Sequence, residues 1–171
     1  YGDGLAGRGV ASVFAKKGFA KSCAVYLHRN DPQVIVAPHF LNGGPQELRY
    51  EASEQTKKAI YASAAELGDL IGAAFSLSDI AAPNSFSSAK KSDWPTYKAS
   101  GLKSLRAFET NYARYFLCAP NHSNIMIKIE SADIGDDIHL ESVSPQISGE
   151  VLGNRLLAVH GRFLAISSLA G

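Results

Sequence analysis

Two kinds of apolar spacing alternate along the chain. Residues 23–28 (Cys-Ala-Val-Tyr-Leu-His) and 33–37 (Gln-Val-Ile-Val-Ala) are short apolar runs, separated by Asn30-Asp31-Pro32. Turn chemistry between two such runs predicts a β-hairpin, which Pro38 is expected to end. Asn42-Gly43-Gly44-Pro45 reads as a loop and residues 46–51 as a polar edge strand. The spacing then changes to the helical period. Ser63-Ala64-Ala65-Glu66 is a capping box, in which the serine oxygen accepts from a free backbone amide and the glutamate reaches back. It opens a helix over 64–77, with Leu67, Leu70, Ile71, Ala74 and Phe75 on one face.

Residues 79–100 break the pattern, with Pro83, Asn84, a serine-rich stretch and Asp93-Trp94-Pro95-Thr96-Tyr97, and read as a long connector. Residues 102–116 then show helical spacing, with Leu102, Leu105, Phe108, Tyr112 and Phe116 on one side. The β-prone Tyr115-Phe116-Leu117-Cys118 suggests that its end runs into a strand. A turn at Pro120–Asn124 leads into the strand 125–130, and Asp136–Leu140 offers another. Ser148 or Ser144 caps a last helix, whose buried side is expected to hold Val151, Leu152, Leu156, Val159 and Phe163.

Strand, turn, strand, acidic loop and capped helix thus occur twice. Val34-Ile35-Val36 aligns with Ile125-Met126-Ile127, and Leu67-Gly68 with Leu152-Gly153. The predicted fold is α+β: one domain over 1–171, with two pseudo-repeated halves (about 10–80 and 101–166) and a connector at about 81–100. The halves are expected to share a mostly antiparallel sheet with helices packed on it, since each half alone has little to bury. Glycine inside a helix costs roughly 1 kcal/mol against alanine. A close helix–sheet contact is the expected reason for Gly68 and Gly153.

Composition narrows the functional classes. A chain of 171 residues with 46% hydrophobic and 19% charged residues is ordinary for a globular domain. A net charge of +1 argues against a dedicated polyanion binder. The charge is nevertheless zoned. Residues 1–30 and 86–116 are basic, residues 31–85 are acidic, and 129–154 hold six acids and no Lys or Arg. Neighbouring zones can neutralise one another in the fold, or the last acidic zone can present a face to a basic partner. Two scattered cysteines, Cys23 and Cys118, suit a reducing compartment and cannot build a cysteine zinc site. The chain opens on Tyr1 without a basic-then-apolar segment, so the expected location is the cytoplasm.

Catalytic signatures are weak. Gly2-x-Gly4-x-x-Gly7 lacks the preceding strand and following acid of a dinucleotide loop. The five histidines include no pair four apart with a glutamate. Asp136, Asp137 and His139 would hold a metal only with a distant fourth ligand, and Cys118 with His122 reads as a strand cysteine beside a turn. The expectation is a non-enzyme with no cofactor and no metal. A second class is nucleic-acid binding by the connector, where Lys90, Lys91, Trp94, Tyr97, Lys98, Lys103 and Arg106 interleave basic and aromatic side chains.

Trp94-Pro95-x-Tyr97-Lys98, Lys103-Ser104-x-x-x-Phe108-x-x-Asn111, the strand Ile125–Ile129 and Leu152-Gly153-x-x-Leu156-Leu157 follow in an order that resembles a family of immunity proteins. These belong to bacterial contact-dependent growth inhibition systems. The segment Ala65–Phe75 is similar to the corresponding helix of the first half. Asn154 and Arg155 depart from the pattern, standing where small residues are expected. The resemblance implies a cytoplasmic protein that binds the C-terminal toxin domain of a cognate protein, often a nuclease, and occludes it. It implies neither a membrane nor a nucleic-acid partner. The acidic stretch Asp133, Asp136, Asp137 and Glu141, with His139 beside it and Trp94 and Tyr97 flanking it, is the expected toxin-binding face.

Overall fold

The computed structural model describes residues 21–41, 49–78, 90–121, 124–130, 140–143 and 148–169. The strands are β1 (Lys21–His28), β2 (Gln33–Leu41), β3 (Arg49–Glu51), β4 (Lys57–Ile60), β5 (Tyr112–Asn121), β6 (Asn124–Glu130) and β7 (Leu140–Val143). The helices are α1 (Ala64–Leu77), α2 (Pro95–Ser100), α3 (Leu105–Asn111) and α4 (Gly149–Leu169). Every strand pairing is antiparallel. The order across the sheet is β3-β2-β1-β5-β6-β7, and β4 shares with β3 the outer edge of β2. The fold is therefore α+β with a mostly antiparallel sheet, as the alternating spacings predict. Beyond a hairpin and one long helix in each half, the first half contributes two further strands and the second one; element order alone does not make the halves a repeat.

Pro38 does not end β2 as expected. The strand runs through it, because the gap between β4 and β3 falls opposite this residue. β4 pairs Val36 with Lys57, β3 pairs His39 with Glu51, and the chain between them leaves the edge. A missing N–H is tolerated where the edge ladder is interrupted. The Pro38 carbonyl still accepts from Ala52 N at 2.8 Å. The predicted helix over 102–116 is shorter than its apolar spacing suggested. It stops at Asn111, and Tyr112 and Phe116 belong to β5. The connector also holds α2 and a single 3-10 turn at Lys91–Asp93.

Alternation gives the sheet two buried faces. On the first, Val36, Val25, Tyr115 and Ile129 form one row across neighbouring strands, and Cys23, Leu117 and Ile127 the next. α1 and α4 cover this face with Leu67, Ile71, Phe75, Leu156, Val159 and Phe163. On the second face α2, α3 and the turn between them cover Ala24, Tyr26, Ile35, Ala37 and Tyr112 with Tyr97, Leu102 and Phe108. Cys23 and Cys118 are both free thiols. Cys23 pairs with Leu117 and Cys118 with Ser22, so the two cysteines stand on opposite faces.

The capping box forms at the predicted place. Glu66 N donates to Ser63 Oγ at 3.2 Å, and Glu66 reaches back to Ala62 N at 2.7 Å. Ser148 caps α4, accepting from Val151 N at 3.4 Å. Gly68 and Gly153 face a helix rather than the sheet. A Cβ on Gly68 would overlap the Gly149 carbonyl oxygen, and one on Gly153 would overlap the Ala64 carbonyl oxygen. The glycines thus let α1 and α4 cross backbone to backbone. Val151 is another correction: it is 41% exposed, because the buried stripe of α4 follows Leu152, Leu156, Val159 and Phe163. Val151 stands about 100° round the helix from Leu152.

Candidate functional site

The second face of the sheet carries polar and charged side chains among its aromatics. Its centre is Glu51, a buried carboxylate at the end of β3. Tyr26 Oη donates to Glu51 Oε1 at 2.8 Å. Thr96 donates twice to Oε2, from Oγ1 at 2.8 Å and from its backbone N at 3.3 Å. The sequence explains why the carboxylate is needed there. Trp94 is the N-cap of α2 and has no side-chain oxygen, and Pro95 follows at the first helical position. Glu51 supplies from the sheet the acceptor that a capping serine would otherwise provide. Lys58 holds the other end of α2, donating from Nζ to the Ser100 carbonyl at 3.0 Å.

Arg114 stands beside this cluster, opposite Tyr26 in register. Its guanidinium carbon is 4.9 Å from the centroid of the Trp94 ring and 5.8 Å from that of Tyr26. Its Nη1 pairs with Glu130 Oε2 at 3.1 Å, and the two side chains are 31% and 26% exposed. Lys128 reaches the other Glu130 oxygen at 3.4 Å. Burial works against the charge on Arg114, but Tyr26, Glu130 and Glu51 outweigh it and hold its pKa above the ordinary value. The Tyr26 hydroxyl is pushed well up, first by burial and then by Glu51. Trp94 is also approached by Lys91, whose Nζ is 5.9 Å from the ring centroid and 2.8 Å from Glu109 Oε1. The result is a half-buried tryptophan on an arginine that a glutamate orients.

Two further polar groups lie deeper. Ser78, the C-cap of α1, plugs the end of the β1–β2 ladder: its hydroxyl accepts from Ser22 N at 3.1 Å and donates to the His39 carbonyl at 3.0 Å. Ser22 Oγ and His39 Nδ1 share a hydrogen bond of 3.0 Å, and His39 stacks on Phe116 at 5.6 Å between centroids. That pair has the reach of a nucleophile and its base, but Ser22 is wholly enclosed. On the first face, Tyr115 Oη and His160 Nδ1 are 2.6 Å apart. Burial, then the Arg29 charge, hold His160 below its ordinary range against a hydrogen bond to the His28 backbone. The Arg29 guanidinium lies 5.0 Å over the Phe163 ring.

Of the expected site residues, Trp94 and Tyr97 are placed. Tyr97 packs edge-on against Phe108 at 5.7 Å and belongs to the second core. Asp133, Asp136, Asp137 and His139 lie outside the described residues. Glu141 is on β7, opposite Ile127, and its side chain also lies outside. Trp94 is linked through Arg114 to Glu130, the last described residue before the acidic stretch in the sequence. Glu51, Thr96, Arg114 and Glu130 escaped the sequence reading. The signal that could have found Arg114 is its place inside an apolar strand; Glu130 ends another. The Arg114–Glu130 and Lys91–Glu109 pairs join a basic zone to an acidic one and, within the basic zone, a lysine to one of its few acids.

Among the described residues, no group of three or more His, Cys, Asp or Glu is placed to hold a metal ion. Nor is any helix among them long and apolar enough to cross a membrane. No family model matches the chain, and no curated protein matches it either.

Proposed function

We propose that the chain is an immunity protein of the contact-dependent growth inhibition type. It acts in the cytoplasm, is not an enzyme, and neutralises the C-terminal toxin domain of a cognate protein by covering its active site, a nuclease being the expected activity. The observation that carries this reading is the Trp94–Arg114–Glu130 cluster. Tryptophan and arginine are the side chains that most often dominate protein interfaces, above all when partly buried and ringed by charge. Glu130 holds the guanidinium in place before a partner arrives, which lowers the ordering cost of binding. Asp133, Asp136, Asp137 and Glu141, which follow in the sequence, supply charge that steers a basic partner. The chemistry-bearing groups nearby also have structural duties: Glu51 caps α2, and Tyr26 and Thr96 donate to it.

The test is co-expression with the C-terminal domain encoded immediately upstream. The expected result is growth arrest when this chain is omitted and a stoichiometric complex when it is present. Absence of both toxicity and complex overturns the reading. Within such a complex, Trp94→Ala is expected to weaken binding by about tenfold or more while the free chain stays folded. An unchanged affinity would move the interface away from Trp94.

A further inference from the structure

α4 is held in two different ways along its length. Up to Val159 it buries Leu152, Leu156 and Val159 and crosses α1 on Gly153. From His160 onwards only His160 and Phe163 are buried, with Leu164 and Ser167 half-buried. Ser167 gains little from its seat, since its Oγ is enclosed with no hydrogen-bond partner among the described residues. The stretch 160–169 therefore depends on one apolar ring, Phe163, and on the polar contacts of His160. Those contacts are to groups that are fixed elsewhere. His160 Nδ1 lies 2.6 Å from Tyr115 Oη on β5, and the ring also bonds to the His28 backbone at the end of β1. His28 pairs with Tyr112 of β5, and its own ring accepts from Asn30 N at 3.2 Å and Asp31 N at 3.0 Å. The next residue, Arg29, donates from N to the Asn111 carbonyl at 2.8 Å. If the contact fails, the helix end is the part that can move.

We infer that His160 is an acid-sensitive latch: its protonation frees residues 160–169 of α4 from the sheet, while the strands and the first part of the helix keep their places. A backbone carbonyl only accepts, so the ring nitrogen that faces His28 carries the hydrogen and Nδ1 accepts from Tyr115. A second proton must therefore go to Nδ1. Tyr115 Oη would then have to accept, and its own hydrogen would lose its acceptor. The new charge would also stand near Arg29, whose guanidinium lies 5.0 Å over the Phe163 ring, so the two holds on the stretch are weakened together. The groups that face the ring are Tyr115 from β5 and Arg29 from the end of β1, and Tyr61, between β4 and α1, acts in turn on Tyr115. No carboxylate is among them to stabilise the imidazolium. Burial and the Arg29 charge favour the neutral ring, so the latch holds at neutral pH and opens on the acid side. Opening uncovers Phe163 and the Tyr115 ring that meets it edge-on at 6.4 Å. The latch belongs to the α1–α4 layer and is independent of the immunity reading.

The test is amide hydrogen exchange of the full chain between about pH 7.5 and 5, with and without low urea, corrected for the intrinsic exchange rate. Amides of residues 161–169 are expected to lose protection as pH falls below about 6.5, by up to about tenfold per pH unit. That loss should be insensitive to urea, because a local opening exposes little surface. The His160 ring resonances, followed in the unaltered chain, should titrate over the same range. His160→Gln should abolish the pH dependence of these amides, and Tyr115→Phe should lower their protection already at neutral pH. Protection of 161–169 that stays constant with pH would overturn the inference, as would a ring that titrates without any change in it. So would a loss as sensitive to urea as that of the β1 and β5 amides, which would mean that the whole fold opens. A pH dependence that survives in His160→Gln would place the titrating group elsewhere and overturn it too.

Discussion

The two faces of the sheet are buried by different means. The α1–α4 face is closed by aliphatic and aromatic side chains in register across four central strands, with the Tyr115–His160 pair as a polar inclusion. The α2–α3 face is smaller, and its aromatics are interrupted by Glu51, Thr96, Arg114 and Glu130. The first arrangement draws its stability from apolar burial, at about 1.5–3 kcal/mol for each large side chain removed from water. The second spends part of its area on groups that must be held by partners, because a buried polar group without one costs about 1–3 kcal/mol. A face that keeps charged groups partly exposed is the one with directional contacts to offer a partner. That is why we propose binding on the Trp94 side, whereas the other face draws its stability from apolar burial.

The contrast breaks most severely at the crossing of α1 and α4. Gly153→Ala should cost about 3 kcal/mol, because the new Cβ meets the backbone of Ala64 and no rotamer relieves it. Gly68→Ala meets the Gly149 carbonyl in the same way. Each helix carries its own control. Gly72 and Gly161 have open space where a Cβ would stand, so alanine there should stabilise by up to about 1 kcal/mol through helix propensity alone. Urea unfolding of the four variants checks the ranking; equal effects at all four sites would mean that the helices do not cross on these glycines.

Next in size is the polar inclusion of the first face. Tyr115→Phe leaves the His160 ring without its 2.6 Å partner and should cost about 1–3 kcal/mol. The same pair makes stability depend on pH. His160 is held below its ordinary value of about 6.5, so the neutral ring contributes stability that is complete above that pH and is lost as pH falls through the lower folded value. His160→Gln should flatten that acid-side decline. A variant that retains the wild-type slope between about pH 7 and 5 would place the titrating group elsewhere.

On the second face, Glu51→Gln keeps the shape of the side chain and offers one acceptor oxygen where three donors need two. The expected loss is about 1–2 kcal/mol, with faster hydrogen exchange confined to α2. Uniform exchange over both faces would show that Glu51 serves the whole sheet rather than the cap of one helix.

These contrasts also mark how far the sequence could be read. The β1–β2 hairpin, β6, α1 and the caps at Ser63 and Ser148 were legible because spacing and capping act between near neighbours in the chain. The crossing of α1 and α4 was half legible: Gly68 and Gly153 stood out as unfavourable helix residues, but spacing cannot say that their neighbour is a helix. The β-prone Tyr115–Cys118 announced the strand, but the helical stripe ran on through Tyr112 to Phe116, because the start of β5 is set by its pairing with β1 rather than by local spacing. Of the candidate site, Trp94 was found through its setting. Arg114 and Glu130 were not, since strand register joins them across 16 residues of chain, and register follows from the packed sheet.

The smallest expected effect separates the two cations on Trp94. Lys91 and Glu109 form a pair in which both side chains are 55% exposed, whereas Arg114 is enclosed by Trp94, Tyr26 and Glu130. An exposed pair of this kind contributes about 0–1 kcal/mol and is screened by salt. Lys91→Ala should therefore change stability by less than about 0.5 kcal/mol and leave the fluorescence of Trp94, the chain's one tryptophan, nearly unchanged. Arg114→Leu should shift that emission, because it removes the guanidinium 4.9 Å from the ring. If Lys91→Ala moves the emission as far as Arg114→Leu does, the ring is set by the connector and not by the sheet. The candidate surface would then be a property of the connector, and the rigid platform argued for binding would be lost.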